Sequence, residues 1–337
     1  MKEANNATAQ FHAVTIRVNN LYEWIRVVTE MEAASFRKIA YKGTKILGPK
    51  WLYRGQANSG WEISSGFERE ISSKIPVSIK DKEKYLRSIE QFGLRNFKRW
   101  VEVPDSYLQA TTGEWLALMQ HYGVPTRLVD FTEVPLVALG FALEYGTQAE
   151  SDFAVWAILR YTFNSIYNRE SICQRLSEEN TKVELCDDLE SRVQTDTSEN
   201  QFFEKIMDGK EIKNLPKCLL EYNPVRMNRR QKLQRGLFLA CSYLSERFMP
   251  LLHSWTDTCA ADLNNPKFKM QIDNVLKSNG KFVDTVANAH LVKFVFCKKL
   301  RQKARMLLRC CNIGERTRYG DNDSLASETK DMMLEYV

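Results

Sequence analysis

Between Glu114 and Glu144 the sequence starts a helix, breaks it, and starts another. Glu114 to Met119 reads as helical, and Gly123 and Pro125 follow as breakers. Pro135 suits the first turn of a helix running to about Glu144, with Thr132 as a cap. Between these helices lies Gln120-His121-Tyr122-Gly123-Val124-Pro125-Thr126-Arg127-Leu128-Val129-Asp130-Phe131-Thr132. This turn-rich segment carries an imidazole, a phenol, two hydroxyls, a guanidinium and a carboxylate. Such a mixture on short, rigid connections is typical of a binding site. The plainer reading is a structured loop in which Asp130 and Arg127 hold each other and Thr126 and Thr132 cap helices. His121 taken alone reads more readily as a hydrogen-bonded histidine than as a base.

The rest of the chain alternates irregularly. Residues 1–16 read as a polar tail or an edge strand. Asn19 and Asn20 can cap a helix over 21–39, with Leu21, Trp24, Ile25, Val28 and Met31 on one face. Trp51-Leu52-Tyr53 reads as a short strand running into Arg54-Gly55-Gln56. The helical pattern of 81–100 draws its apolar side chains from Leu86, Ile89, Phe92, Leu94 and Phe97. Further strands are expected at 153–159, 218–222, 236–241 and 291–296, and a basic helix at 300–308. Residues 163–217 are rich in Glu, Asp, Ser, Asn and Lys and read as a polar insertion. No glycine-rich phosphate loop follows a strand. An α+β fold with a mixed or antiparallel sheet flanked by helices fits best.

Hydrophobic residues make up 44% of the 337, enough for a sizeable core. The net charge of +6 permits an anionic partner without demanding nucleic acid. The 8 cysteines and 4 histidines show no metal-ligand spacing, so no metal is expected. Scattered cysteines, no apolar N-terminal run and no long apolar stretch lead to the expectation of a cytoplasmic, non-membrane protein.

Two more constellations bear on function. Tyr53-Arg54-Gly55-Gln56 places a guanidinium at a strand end, where its fork can clasp a phosphate or carboxylate. Gly55 would let a ligand approach the backbone. The commoner case is a surface Arg in a turn. The basic runs at 226–235 and 298–309 could meet an anion or be solvated helix faces. Neither interleaves regularly with aromatics, so nucleic acid is weakly supported.

Taken together, these segments resemble the FRG domain. Tyr53-Arg54-Gly55 stands for the family's Phe-Arg-Gly triplet, with Tyr replacing Phe, and Trp61 follows it. Gln120 to Thr132 resembles the central signature, continued by Pro135, Ala138, Phe141 and Ala142, with Asp-Phe-Thr for the commoner Asp-Trp-Thr. Gln234-Arg235-Gly236-Leu237-Phe238 is similar to the late Gln-x-Gly-x-Phe. The resemblance spans about 45–325, interrupted by the insertion at about 163–217, after an N-terminal helical region (1–44) and before a tail (326–337). It implies a bacterial or phage-related setting, often of defence or toxin type.

The order of motifs is also distantly similar to ADP-ribosyltransferases of the Arg…Ser/Thr…Glu type, which implies NAD as cofactor. Arg54 would then grip the phosphate or ribose, Thr132 would support the nicotinamide ribose, and Gln234 stands where the family has glutamate. An amide cannot stabilise a cation as a carboxylate does, so either another acid such as Asp130 would take that role or the domain would bind NAD or a nucleotide without strong turnover, with His121 and Tyr122 beside the ligand. Tyr53, Gly55, Gln56, Tyr122, Thr126 and Arg127 would complete the cofactor site. The implied partners are a nucleotide-type molecule and a protein acceptor or phage protein. Three readings stay open: an NAD-dependent transferase or glycohydrolase, a ligand-sensing or interaction module without catalysis, and a nuclease using Asp130 with Glu133 or Glu144.

Overall fold

The computed structural model of the chain describes residues 12–40, 51–144, 151–160, 203–208, 217–226, 229–255, 269–271, 289–314 and 318. Residues 1–11, most of the polar insertion and the C-terminal tail lie outside them.

Among the described residues, eight strands form one sheet. In chain order they are β1 (His12–Val18), β2 (Trp51–Gln56), β3 (Val129–Thr132), β4 (Phe153–Leu159), β5 (Leu219–Tyr222), β6 (Gly236–Cys241), β7 (Lys269–Gln271) and β8 (Ala289–Phe296). Their order across the sheet is β5-β6-β3-β2-β4-β8-β1-β7. β1 runs parallel to β7 and β8, and the other neighbours are antiparallel. The expected α+β class with a mixed sheet is what forms. β1 is not an edge strand, because β8 and β7 pair with it on both sides.

Strand alternation sends successive side chains to opposite faces. On β2, Tyr53 packs with one core and Leu52 with the other. The first core lies under α1 (Leu21–Ala40), α5 (Pro135–Phe141) and α8 (Arg301–Cys310), where Trp24 meets the ring of Phe296 edge-on at 5.2 Å. The second core lies under α3 (Lys82–Trp100), α4 (Thr112–His121) and α7 (Phe248–Trp255). Two shorter helices are α2 (Gly66–Glu70) and α6 (Arg229–Gln234). Each fully buried large apolar side chain contributes about 1.5–3 kcal/mol.

Local chemistry sets the ends that matter for the site. The Asn20 side chain accepts from Tyr22 N at 3.0 Å, which starts α1. Thr111 and Glu114 form a capping box at the start of α4, and Gly123, with φ of +80°, ends it in a conformation that glycine adopts without strain. α5 begins with Pro135 at its first position and has no side-chain cap. The hydroxyl of Thr132 instead accepts from Val134 N at 3.0 Å, two residues ahead of the cap position that Val134 holds.

Residues 203–207 of the expected polar insertion are helical. Phe203, Ile206 and Met207 are buried in the second core, and the Phe203 ring stacks on Tyr222 at 4.3 Å. That part of the insertion is therefore core, not decoration. Among the described residues no helix is long and apolar enough to cross a membrane.

Candidate functional site

β2 and β3 lie side by side, with Tyr53 opposite Thr132. β3 was expected as loop. Its four residues alternate too briefly to announce a strand, and it forms because β6 pairs along all of it. This pairing carries Asp130 next to Arg54. The Arg54 Nη1 donates to the Asp130 carbonyl at 2.6 Å, and its guanidinium carbon lies 6.0 Å from the Phe131 ring centroid.

Asp130 is exposed, and its carboxylate accepts from Gln120 Nε2 at 2.7 Å. The other end of the Gln120 amide accepts from Thr126 Oγ1 at 2.5 Å. The last turn of α4 thus holds the acid through one amide that is fixed at both ends. Thr126 is buried and its hydroxyl also accepts from Leu128 N, so it builds the loop.

These residues open onto a cavity of about 730 Å³, within the range of small-molecule sites. Arg54, Gly55 and Gln56 come from β2, Gln120 and His121 from α4, and Asp130 from β3. Trp61, Glu62, Ser64 and Arg69 form a second wall. Phe141 and Glu144 come from the α5 end, and Gln231, Gln234 and Phe238 from α6 and β6. Two arginines and one histidine face three carboxylates, so the lining is mixed in charge. Four glutamine amides and three aromatic rings supply hydrogen bonds and flat apolar contact.

The surroundings fix several of these groups. Gln56 Nε2 donates to the Glu62 carbonyl at 3.1 Å, and its Oε1 accepts from the Trp156 indole at 2.7 Å. Behind that indole, Lys293 Nζ sits 4.5 Å from the Trp156 ring centroid. Burial lowers its pKa to about 8, against a small opposing pull from Glu62. Arg69 Nη1 donates to the Ser64 carbonyl at 2.7 Å. Gln234 is buried, its carbonyl accepts from Thr132 Oγ1 at 2.6 Å, and the next residue, Arg235, has φ of +46°.

Of the residues expected at the site, Arg54, Gly55, Gln56, His121, Asp130 and Gln234 line the cavity. Tyr53, Tyr122, Thr126, Arg127 and Thr132 do not. Tyr53 faces the other side of the sheet and donates to Glu32 at 3.0 Å; burial, then Glu32, push its phenol pKa up. Tyr122 is exposed and packs against Phe97, ring centroids 6.0 Å apart. Thr132 is 1% exposed, and both its hydroxyl bonds go to backbone.

Arg127 does not hold Asp130. It donates Nε to Glu90 Oε1 at 2.7 Å and Nη2 to Glu90 Oε2, and both side chains are buried. Gly55 has a different reason from the expected ligand approach. A Cβ there would lie 1.9 Å from the Ala138 carbonyl oxygen, so glycine is what lets α5 press onto β2. Glu133 pairs with Arg160 at 3.1 Å and Arg235 at 3.3 Å and stands outside the cavity, whereas Glu144 lines it with Asp130.

Several lining residues went unassigned from sequence. Gln120, Phe141 and Phe238 sit inside the quoted motifs, and Trp61 follows the first one. Arg69, Glu62 and Gln231 carry no local signal, because nonlocal packing brings them in.

The fold and its cavity define a mixed α+β protein with a small-molecule-sized site lined from both helical layers. Residues 49–151 match the model of the FRG domain, so the chain contains an FRG domain over that segment. No curated protein and no solved structure matches the chain.

Proposed function

We propose that the cavity binds a nucleotide-type ligand, with NAD as the first candidate. The observation that carries this reading is the convergence of Arg54, Arg69, four glutamine amides and three aromatic rings on one space of about 730 Å³. Arginine forks take phosphate oxygens, amides read the polar edge of a planar base, and rings cover its face. Three carboxylates in the same lining disfavour a long polyanion inside the cavity.

Cleavage of NAD is a second reading, favoured by the exposed Asp130 carboxylate that Gln120 orients. Water would attack the ribose carbon as the bond to nicotinamide breaks. The bonding pair would return to the pyridine nitrogen, one proton would be released, and Asp130 would stabilise the developing cation. Transfer to a protein acceptor would put a side-chain nucleophile in place of water. Thr132, with both hydroxyl bonds engaged, has a supporting part only. A defence- or toxin-type role belongs to this second reading, since NAD loss would arrest a cell.

Calorimetry with NAD, beside NAD consumption followed by chromatography, tests both. Arg54→Ala is expected to weaken binding at least ~10-fold with the melting temperature held, the scale of one charge-assisted contact. Equal binding by wild type and Arg54→Ala would overturn the nucleotide reading. Binding without consumption would leave a sensing module.

A further inference from the structure

We infer that the outward face of α3 is a docking strip for single-stranded nucleic acid, independent of what the cavity binds. Tyr85, Phe92 and Trp100 are 44%, 59% and 75% exposed on it. Soluble helices normally turn such side chains inward. At 100° per residue, Tyr85, Phe92 and Arg99 share one direction, with Trp100 on one flank and Lys84 and Arg95 on the other. Lys84, Arg95 and Arg99 are all exposed. The Arg99 guanidinium lies 5.1 Å from the Trp100 ring centroid, which extends the flat surface.

The two carboxylates within this helix are engaged by other groups. Glu83 accepts from Arg87 at 2.7 Å and from Ser245 N at 2.8 Å, and Glu90 is buried on Arg127. Asp81 caps the first turn through Lys84 N. Glu102 and Asp105 follow the helix rather than lie on it. The strip is thus cationic and aromatic, and it spans about 22 Å from Tyr85 to Trp100 at the helical rise.

The spacing selects among occupants. A partner helix would need a continuous apolar stripe, but Ser88, Arg95, Asn96 and Arg99 interrupt this one. Separate rings set among cations suit bases that stack one at a time while phosphates meet the arginines and lysine.

Fluorescence anisotropy of the full chain with labelled oligothymidylate and oligouridylate of about 12 nucleotides, over a range of salt, tests this. Binding is expected, with a log–log salt slope of about −2 for three phosphate contacts. Phe92→Ala with Trp100→Ala should weaken binding at least ~10-fold and leave the slope unchanged. Lys84→Ala with Arg95→Ala should flatten the slope by about 1.4. Both pairs are exposed, so the melting temperature should hold. Lys299→Ala with Lys303→Ala, on and beside α8, should change nothing. No binding at low salt, unchanged affinity in the aromatic pair, or equal loss from the α8 pair would each overturn the inference.

Discussion

Replacing Arg127 by Met leaves Glu90 buried without its counter-ion. The two side chains are 2% and 4% exposed and meet through two parallel hydrogen bonds. Removing one member of such a pair costs about 3–5 kcal/mol, because the remaining charge has lost its partner in a medium that solvates it poorly. Arg127 Nη1 is buried with no hydrogen-bond partner among the described residues, so the wild-type pair is itself imperfectly satisfied. The lower end, about 3 kcal/mol, is therefore expected. Glu90→Leu should cost a similar amount for the mirror reason. The double variant Glu90→Leu, Arg127→Met buries no charge and should recover most of the loss. Urea unfolding read by circular dichroism gives the three values and their coupling. The competing pairing, Arg127 with Asp130, makes the opposite forecast. A cost below about 1 kcal/mol for Arg127→Met, or coupling to Asp130→Ala instead of Glu90→Leu, would refute the assignment. Because Arg127 does not line the cavity, ligand affinity measured well below the unfolding midpoint should not change.

Two further predictions test the frame of the site. Gly55→Ala forces a Cβ to within 1.9 Å of the Ala138 carbonyl oxygen and 2.6 Å of Ala142 N, both backbone atoms of or beside α5. It should cost about 1–3 kcal/mol in urea and weaken the cavity ligand, whereas Gly60→Ala, which meets only the Asn58 side chain at 3.2 Å, should be mild. Lys293, with its pKa lowered to about 8, binds fewer protons folded than unfolded between pH 8 and the ordinary lysine range. Its contribution to stability therefore rises with pH across that window and is flat below it. Wild type should gain on Lys293→Met by at most about 1.4 kcal/mol per pH unit there, read from urea midpoints, and parallel curves would contradict the shift.

The helices were legible where side-chain period and caps agree. Asn20 before Leu21, the breakers after α4 and Pro135 before α5 all sit where the chain turns. Phe92 shows the limit: the apolar period groups it with Leu86 and Leu94, but its angle on α3 is that of Tyr85, on the outer side. Alternation along β2 would have separated Arg54 and Gln56 from Tyr53, had the strand been extended to Gln56. Nothing local could announce the partner of Arg127, which lies 37 residues away, or the burial of Phe203. β1 looked like an edge because its neighbours come from the far end of the chain.

The matched segment, 49–151, supplies β2, β3, α4 and α5, yet it does not enclose the cavity by itself. Gln231, Gln234 and Phe238 form one wall, and β6 is what makes Val129 to Thr132 a strand. On the sheet face that α5 covers, α8 braces the same frame. Arg301 donates Nη2 to the carbonyl of Ala57 at 2.6 Å and Nη1 to that of Ala142 at 3.3 Å, and Arg305 donates to Leu143 at 3.2 Å. These guanidiniums satisfy carbonyls at the C-terminal end of α5, where the helix leaves acceptors without helical partners. Arg318 fills the space that Gly140 leaves open and donates to Glu144 at 2.8 Å. Ala57 and Glu144 line the cavity, so residues far beyond the matched segment set the position of its walls. The physical unit that makes the site is the whole sheet with its two helical layers, and the FRG motifs supply part of its lining, through Arg54, Gln120, His121 and Asp130, and part of its frame, through Thr126, Arg127 and Thr132.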